Sequence, residues 1–151
     1  MASTRDVRDV CDNPCAAVLA DVRAWREYVG EGHEYGYMRG LGRVRGARWA
    51  QWGPDTYTGG DFWDGDGILR PLDELRRMWA SNGIDGSKTT IFYCGTGWRS
   101  SFALLIGLSL GMNCRNYDGG WLAWAHTDAN AASNPCDVGP SENSPSNTPL
   151  R

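Results

Sequence analysis

The chain has 151 residues, 41% of them hydrophobic, which suits one domain built around one buried core. A formal charge of -3 and a pI near 5.3 exclude the broad basic footprint of a nucleic-acid binder, although Arg39, Arg43, Arg45 and Arg48 form a local positive run suited to a small anion. The longest apolar run, residues 102–110, is broken by Gly107 and Ser109 and is too short to span a membrane, so a soluble protein with no membrane partner is expected.

Residues 1–15 read as a lead-in. Met1 to Val10 carries charges where a secretory leader needs an apolar stretch, which implies the cytoplasm if Met1 is the native start and leaves a periplasmic or organellar location open if sequence precedes it. Five cysteines leave at least one thiol without an internal partner. Cys11 and Cys15 lack a second Cys or His pair at ligand spacing, so no metal is expected, and no motif calls for a cofactor.

Residues 16–20 form an apolar run ended by Asp21-Val22-Arg23, as in a buried strand that delivers polar groups at its end. A short helix over 25–29 follows. Residues 30–46 are rich in glycine and arginine without periodicity, 47–50 read as a brief strand, and 53–69 as a long loop. Asp64-Gly65-Asp66-Gly67 marks turns there but lacks the terminal glutamate of a calcium loop. Leu72, Leu75, Met78 and Trp79 recur at helical spacing after Pro71, which predicts an amphipathic helix over 71–82 ended by Asn82-Gly83. Residues 89–93, β-branched and aromatic, make the strongest strand signal. A polar loop, 94–99, leads to a helix capped by Ser100 and ended by Gly111; 114–118 forms another strand, and Gly119-Gly120 turns into a last helix with Trp121 and Trp124. Beyond Asp128 periodicity vanishes and Asn, Ser and Pro accumulate, so 128–151 is expected to be a disordered tail after a domain over 16–127. The alternation of strands and helices points to an α/β fold with a mainly parallel sheet.

The chemistry concentrates where the best strand stops. Cys94 sits at the carboxyl end of a strand, the side of an open α/β sheet on which ligands settle, and Arg99 follows five positions later at the start of a helix. Gly95 and Gly97 let the backbone curl and turn its N–H groups toward one point, as an anion nest requires. A cysteine nucleophile must be a thiolate, and lowering an ordinary pKa near 8.5 by about 1.5 to 2 units takes roughly 2 to 3 kcal/mol. A helix N-terminus supplies about 0.3 to 1 and at most about 2 kcal/mol, so the nest and Arg99 are expected to supply the rest. The alternative is a buried structural cysteine followed by an ordinary glycine turn. Cys114 has no such setting and reads as core. A phosphatase loop needs Cys-x5-Arg, and the residue at that place is Ser100.

From about Leu19 to His126 the sequence resembles the rhodanese family, and more closely the catalytic C-terminal domain of bacterial multi-domain thiosulfate sulfurtransferases. The resemblance rests on Ala20-Asp21-Val22-Arg23 with Glu27-Tyr28, Gly42-Arg-Val-Arg-Gly-Ala-Arg-Trp49, Asp66-Gly-Ile-Leu-Arg70, Phe92-Tyr-Cys-Gly-Thr-Gly-Trp-Arg99, and Tyr117-Asp-Gly-Gly-Trp121 with Trp124. It implies a rhodanese-like fold with a central, mainly parallel five-stranded sheet flanked by helices. It also implies a ping-pong reaction in which thiosulfate loads Cys94 as a persulfide and cyanide or a thiol removes the outer sulfur. Gly95, Thr96, Gly97, Trp98, Arg99 and Ser100 would form the persulfide cradle. Asp21 and Arg23 would support the pocket or serve as a fold-stabilising ion pair, and Trp49 or Trp98 would wall it. Two departures stand out. Two-domain rhodaneses place a substrate-binding arginine where this chain has Glu27, next to Arg26, and close relatives carry further rhodanese-like domains upstream. An upstream domain or a homodimer is therefore an expected partner. Mercaptopyruvate as donor and a role as a sulfur-carrier or protein-interaction module are the alternative functions.

Overall fold

The computed structural model describes residues 1–126 and 128–141. Its first half contains α1 (Thr4–Asp12), β1 (Val18–Asp21), α2 (Trp25–Val29), β2 (Arg43–Val44) and β3 (Arg48–Trp49). A 3-10 turn at Gly60–Phe62 leads to α3 (Leu72–Ser81), β4 (Thr90–Tyr93), α4 (Trp98–Ser109), β5 (Cys114–Tyr117), α5 (Gly120–Ala125), α6 (Asp128–Ser133) and β6 (Cys136–Asp137).

β4, whose four residues are all buried, lies inside a wholly parallel sheet of order β3-β1-β4-β5, with Ala20 opposite Phe92 and Phe92 opposite Asn116. Continuous burial of a strand requires cover on both faces, as parallel sheets provide. The two-residue period of the strands divides the core. Leu19, Ile91 and Tyr93 face a layer with Val7 and Val10 of α1 and Trp121 and Trp124 of α5. Ala20, Phe92 and the next residue of that parity, Cys94, face Leu75 and Trp79 of α3 and Ala103 and Ile106 of α4. The result is the flanked parallel sheet of a rhodanese-like fold, with four strands where five were expected. β2 instead pairs antiparallel with β6 in a separate ribbon. Glycines with φ of 99° and 75° at positions 42 and 46 bend the chain on both sides of β2 and limit it to two residues.

Three expectations change. The lead-in contains α1, whose Ser3 and Asp6 form a reciprocal capping box and whose Val7, Val10 and Cys11 are buried. The tail expected from residue 128 is ordered through 141. Asn134 Nδ2 donates to Trp124 O at 2.7 Å, Gly46 N to Asp137 Oδ2 at 2.8 Å, and Gly139 N to Val29 O at 2.8 Å. Hydrogen bonds rather than apolar periodicity hold this segment, so composition does not reveal it; 142–151 lie outside the described residues. Finally, α4 is capped by Gly97, which places Arg99 and Ser100 in its first turn. No helix among the described residues is long and apolar enough to cross a membrane.

Candidate functional site

The end of β4 and the start of α4 converge on one sulfur atom. Gly97 N donates to Cys94 Sγ at 3.2 Å, and Ser100 Oγ lies 3.6 Å from the same sulfur and 3.1 Å from Gly97 O, so its single proton serves one acceptor at a time. The amide at the N-terminus of a twelve-residue helix therefore points at Cys94, where helix dipole and N–H both favour an anion. Thr96 is half-buried between the two glycines.

The outside of the loop is clamped by α5. Trp121 N donates to Cys94 O at 2.8 Å and Leu122 N to Gly95 O at 3.0 Å. Gly120, at φ +54°, has room for no side chain, since a Cβ there would stand 2.5 Å from Cys94 O. The Tyr117–Trp121 motif is thus the backstop of the cradle.

Arg99 does not spend its charge on sulfur. Its Nη1 and Nη2 donate to Glu27 Oε2 and Oε1 at 2.7 and 3.2 Å, and the guanidinium lies 5.7 Å from the Tyr35 ring centre. A buried guanidinium is best compensated by a carboxylate whose two oxygens match its fork, which a single thiolate cannot do. Glu27, 1% exposed, also accepts from Ala24 N and Thr56 Oγ1, each at 3.1 Å. Burial alone would raise its pKa, but the hydrogen bonds and charge of Arg99, aided by Arg23, hold it below the usual value. The guanidinium expected to help hold a Cys94 anion thus gives its hydrogen bonds to Glu27, while its charge still acts on Cys94 from beside the loop. The guanidinium remains close, because a Cβ built on Gly95 would lie 3.5 Å from Arg99 Nη2. Sequence reasoning marks Glu27 as a departure from the expected arginine and gives it no role; its pairing with Arg99 appears only in the structure.

Cys94 is 1% exposed. Its neighbour Gly95 is covered by Met38 and Tyr35, whose Cε and Cε2 would stand 2.7 and 3.7 Å from an added Cβ. Tyr35 stacks on Tyr37 at 5.5 Å and meets Tyr57 edge-on at 5.8 Å, and Tyr37 and Tyr57 are exposed. The other candidate walls lie elsewhere. Trp98 is 84% exposed, and Trp49 packs on Trp25 while donating from Nε1 to Arg23 O. Burial pushes the thiols of Cys11 and Cys114 up to about 11, which keeps them protonated at neutral pH.

Asp21 and Arg23 form a second buried pair, at 2.6 Å. Arg23 also donates to Gly42 O at 2.7 Å and stands over the Trp121 ring, and Asp21 accepts from Tyr93 Oη, which itself accepts from Val44 N. These bonds tie β1 and β4 to the β2 region; among the described residues they go to no atom of loop 94–100.

The rhodanese-like domain family matches residues 3–127. The chain is 36% identical over 115 residues to the thiosulfate sulfurtransferase YnjE of Escherichia coli, matching 76% of this chain and 26% of that protein. It is 31% identical over 116 residues to the sulfur carrier protein TtuD of Thermus thermophilus, matching 72% and 38%. The crystal structure of YnjE superposes with a TM-score of 0.85 at 32% identity over 95% of this chain and 33% of that one. The anaerobic ergothioneine biosynthesis enzyme of Chlorobium limicola, in complex with its natural substrate trimethyl histidine, gives 0.83 at 33% identity over 93% and 32%. The chain thus spans between 26% and 38% of the length of these relatives.

Proposed function

Because this chain belongs to the rhodanese family, we propose that it is a sulfurtransferase that carries sulfane sulfur as a persulfide on Cys94, with thiosulfate as donor and cyanide or a thiol as acceptor. The observation that supports this most directly is the Gly97 amide aimed at Cys94 Sγ at the N-terminus of α4. In loading, the Cys94 thiolate attacks the outer sulfur of thiosulfate; the new S–S bond forms as the old one breaks, and sulfite leaves with the bonding electrons. In unloading, cyanide attacks the outer sulfur and departs as thiocyanate, which restores the thiolate. The donors that hold the thiolate also suit the terminal sulfur of the persulfide, an anion one bond further out. Because Cys94 is 1% exposed, a donor reaches it only when side chains around the loop move aside, and Met38 and Tyr35, which cover the adjacent Gly95, are the ones proposed to do so.

The test is intact-protein mass after incubation with thiosulfate, then with cyanide. The expected result is a gain of one sulfur atom that cyanide removes; no gain, or an equal gain by Cys94→Ser, would overturn the reading.

A second acceptor class is favoured by the exposed tyrosines at the mouth, together with the likeness to the ergothioneine biosynthesis enzyme. Aromatic faces suit a quaternary ammonium. Persulfidated protein mixed with trimethyl histidine should then lose its extra sulfur; retention of the sulfur would exclude this acceptor.

A further inference from the structure

Both states of the proposed cycle concentrate negative charge around Cys94, and the amount depends on the donor. Thiosulfate brings two negative charges to a thiolate, so three must share the site before sulfite leaves. An alkyl hydropersulfide brings none or one. The groups around Cys94 that can answer this charge are the Gly97 N–H, the Ser100 hydroxyl and Arg99, whose Nη2 would lie 3.5 Å from a Cβ built on Gly95. The first two are dipoles. Arg99 is a full charge, and it is matched by Glu27 through two hydrogen bonds of 2.7 and 3.2 Å. That match is built rather than incidental: the side chains are only 6% and 2% exposed, and the same carboxylate is fixed by Ala24 N and Thr56 Oγ1. Arg23, which is fully buried, is paired with Asp21 at 2.6 Å.

Resting on the sulfurtransferase reading, we infer that Glu27 is a specificity-determining residue. By neutralising Arg99 it slows dianionic donors and turns the site toward sulfane sulfur carried with one negative charge or none, as in alkyl hydropersulfides. The step balances: the Cys94 thiolate bonds to the outer sulfur of RS–SH, the RS–S bond breaks, RS⁻ leaves, and Cys94–S–SH remains. No external oxidant or reductant is required. Glu27 touches neither sulfur nor donor in this account; it acts through the charge left on Arg99.

The experiment compares single-turnover loading of Cys94 by thiosulfate and by the hydropersulfide of 2-mercaptoethanol, in wild type, Glu27→Gln and Glu27→Ala. Taking the ratio of the two donors within one protein sample cancels any loss of folded material. Releasing Arg99 should raise the thiosulfate-to-hydropersulfide ratio by about tenfold, chiefly through a lower half-saturating thiosulfate concentration. A ratio within twofold of wild type in both variants, with Cys94 still loading, would overturn the role of Glu27 and leave the sulfurtransferase reading intact. Failure of wild type to load from thiosulfate would overturn thiosulfate as donor, and failure to load from both donors would defeat the sulfurtransferase reading and the role of Glu27 together.

Discussion

Among the described residues two carboxylate–guanidinium pairs are buried on both sides, and they are built for different ends. Asp21 and Arg23 are two positions apart at the end of β1, both wholly enclosed, with Tyr93, Gly42 O and Trp121 completing the packing. Glu27 and Arg99 come from α2 and α4, 72 residues apart, and meet beside the Cys94 loop under an aromatic rim that reaches solvent. The first pair ties strands together. The second leaves the strands alone and sets the charge next to Cys94. Identical chemistry thus serves framework or site according to what surrounds it, since in a desolvated volume each charge is defined by its partners.

The largest effect that separates them is on stability. Asp21→Ala strands the Arg23 charge in the core and removes the acceptor of Tyr93, and it should cost about 3 to 5 kcal/mol, read from the urea midpoint. A loss below about 1 kcal/mol would mean that this pair is no framework element. Next is the clamp behind the loop. Gly120→Ala adds a Cβ 2.5 Å from Cys94 O at a φ of +54°, so the cradle must shift, and single-turnover sulfur loading should fall by about a hundredfold. Unchanged loading would show that α5 does not position the loop.

Acid titration sharpens the contrast further. The folded pKa of Glu27 lies below its ordinary value of 4.5, so its contribution to stability is present above that pH and is lost as pH falls through the depressed folded value. Wild-type unfolding free energy should therefore drop more steeply than that of Glu27→Gln as the pH is taken below 4.5; parallel curves would contradict an ionised, paired Glu27. The smallest effect is expected at Trp98, which extends outward from the first turn of α4. Trp98→Ala should stay within about 0.5 kcal/mol of wild type in urea and load sulfur at the same rate.

Much of this architecture is legible in the chain because it is written locally. Residues 90–99 pass from strand through a glycine loop to a helix in one continuous stretch, so the position of Cys94, the loop around it and the side of the sheet they occupy follow from neighbours in sequence. The α3 amphipathic pattern is equally local. α1 was written locally too, as Ser3-x-x-Asp6 before buried Val7 and Val10, but its charged exterior reads as a lead-in. The α6–β6 segment is different, since its order comes from backbone bonds to β2 and α2 that no periodicity announces.

By itself the sequence determined the alternation of strands and helices, the cysteine at the end of β4 and the glycines that let the backbone close around it. Only the tertiary structure decided that Arg99 is answered by Glu27, that Asp21 and Arg23 brace the frame, and that Trp98 faces away. The reason is that hydrogen-bonding and helical periods act over a few residues, whereas the net charge on a buried group depends on every other group sharing its dry volume, and those arrive from distant parts of the chain.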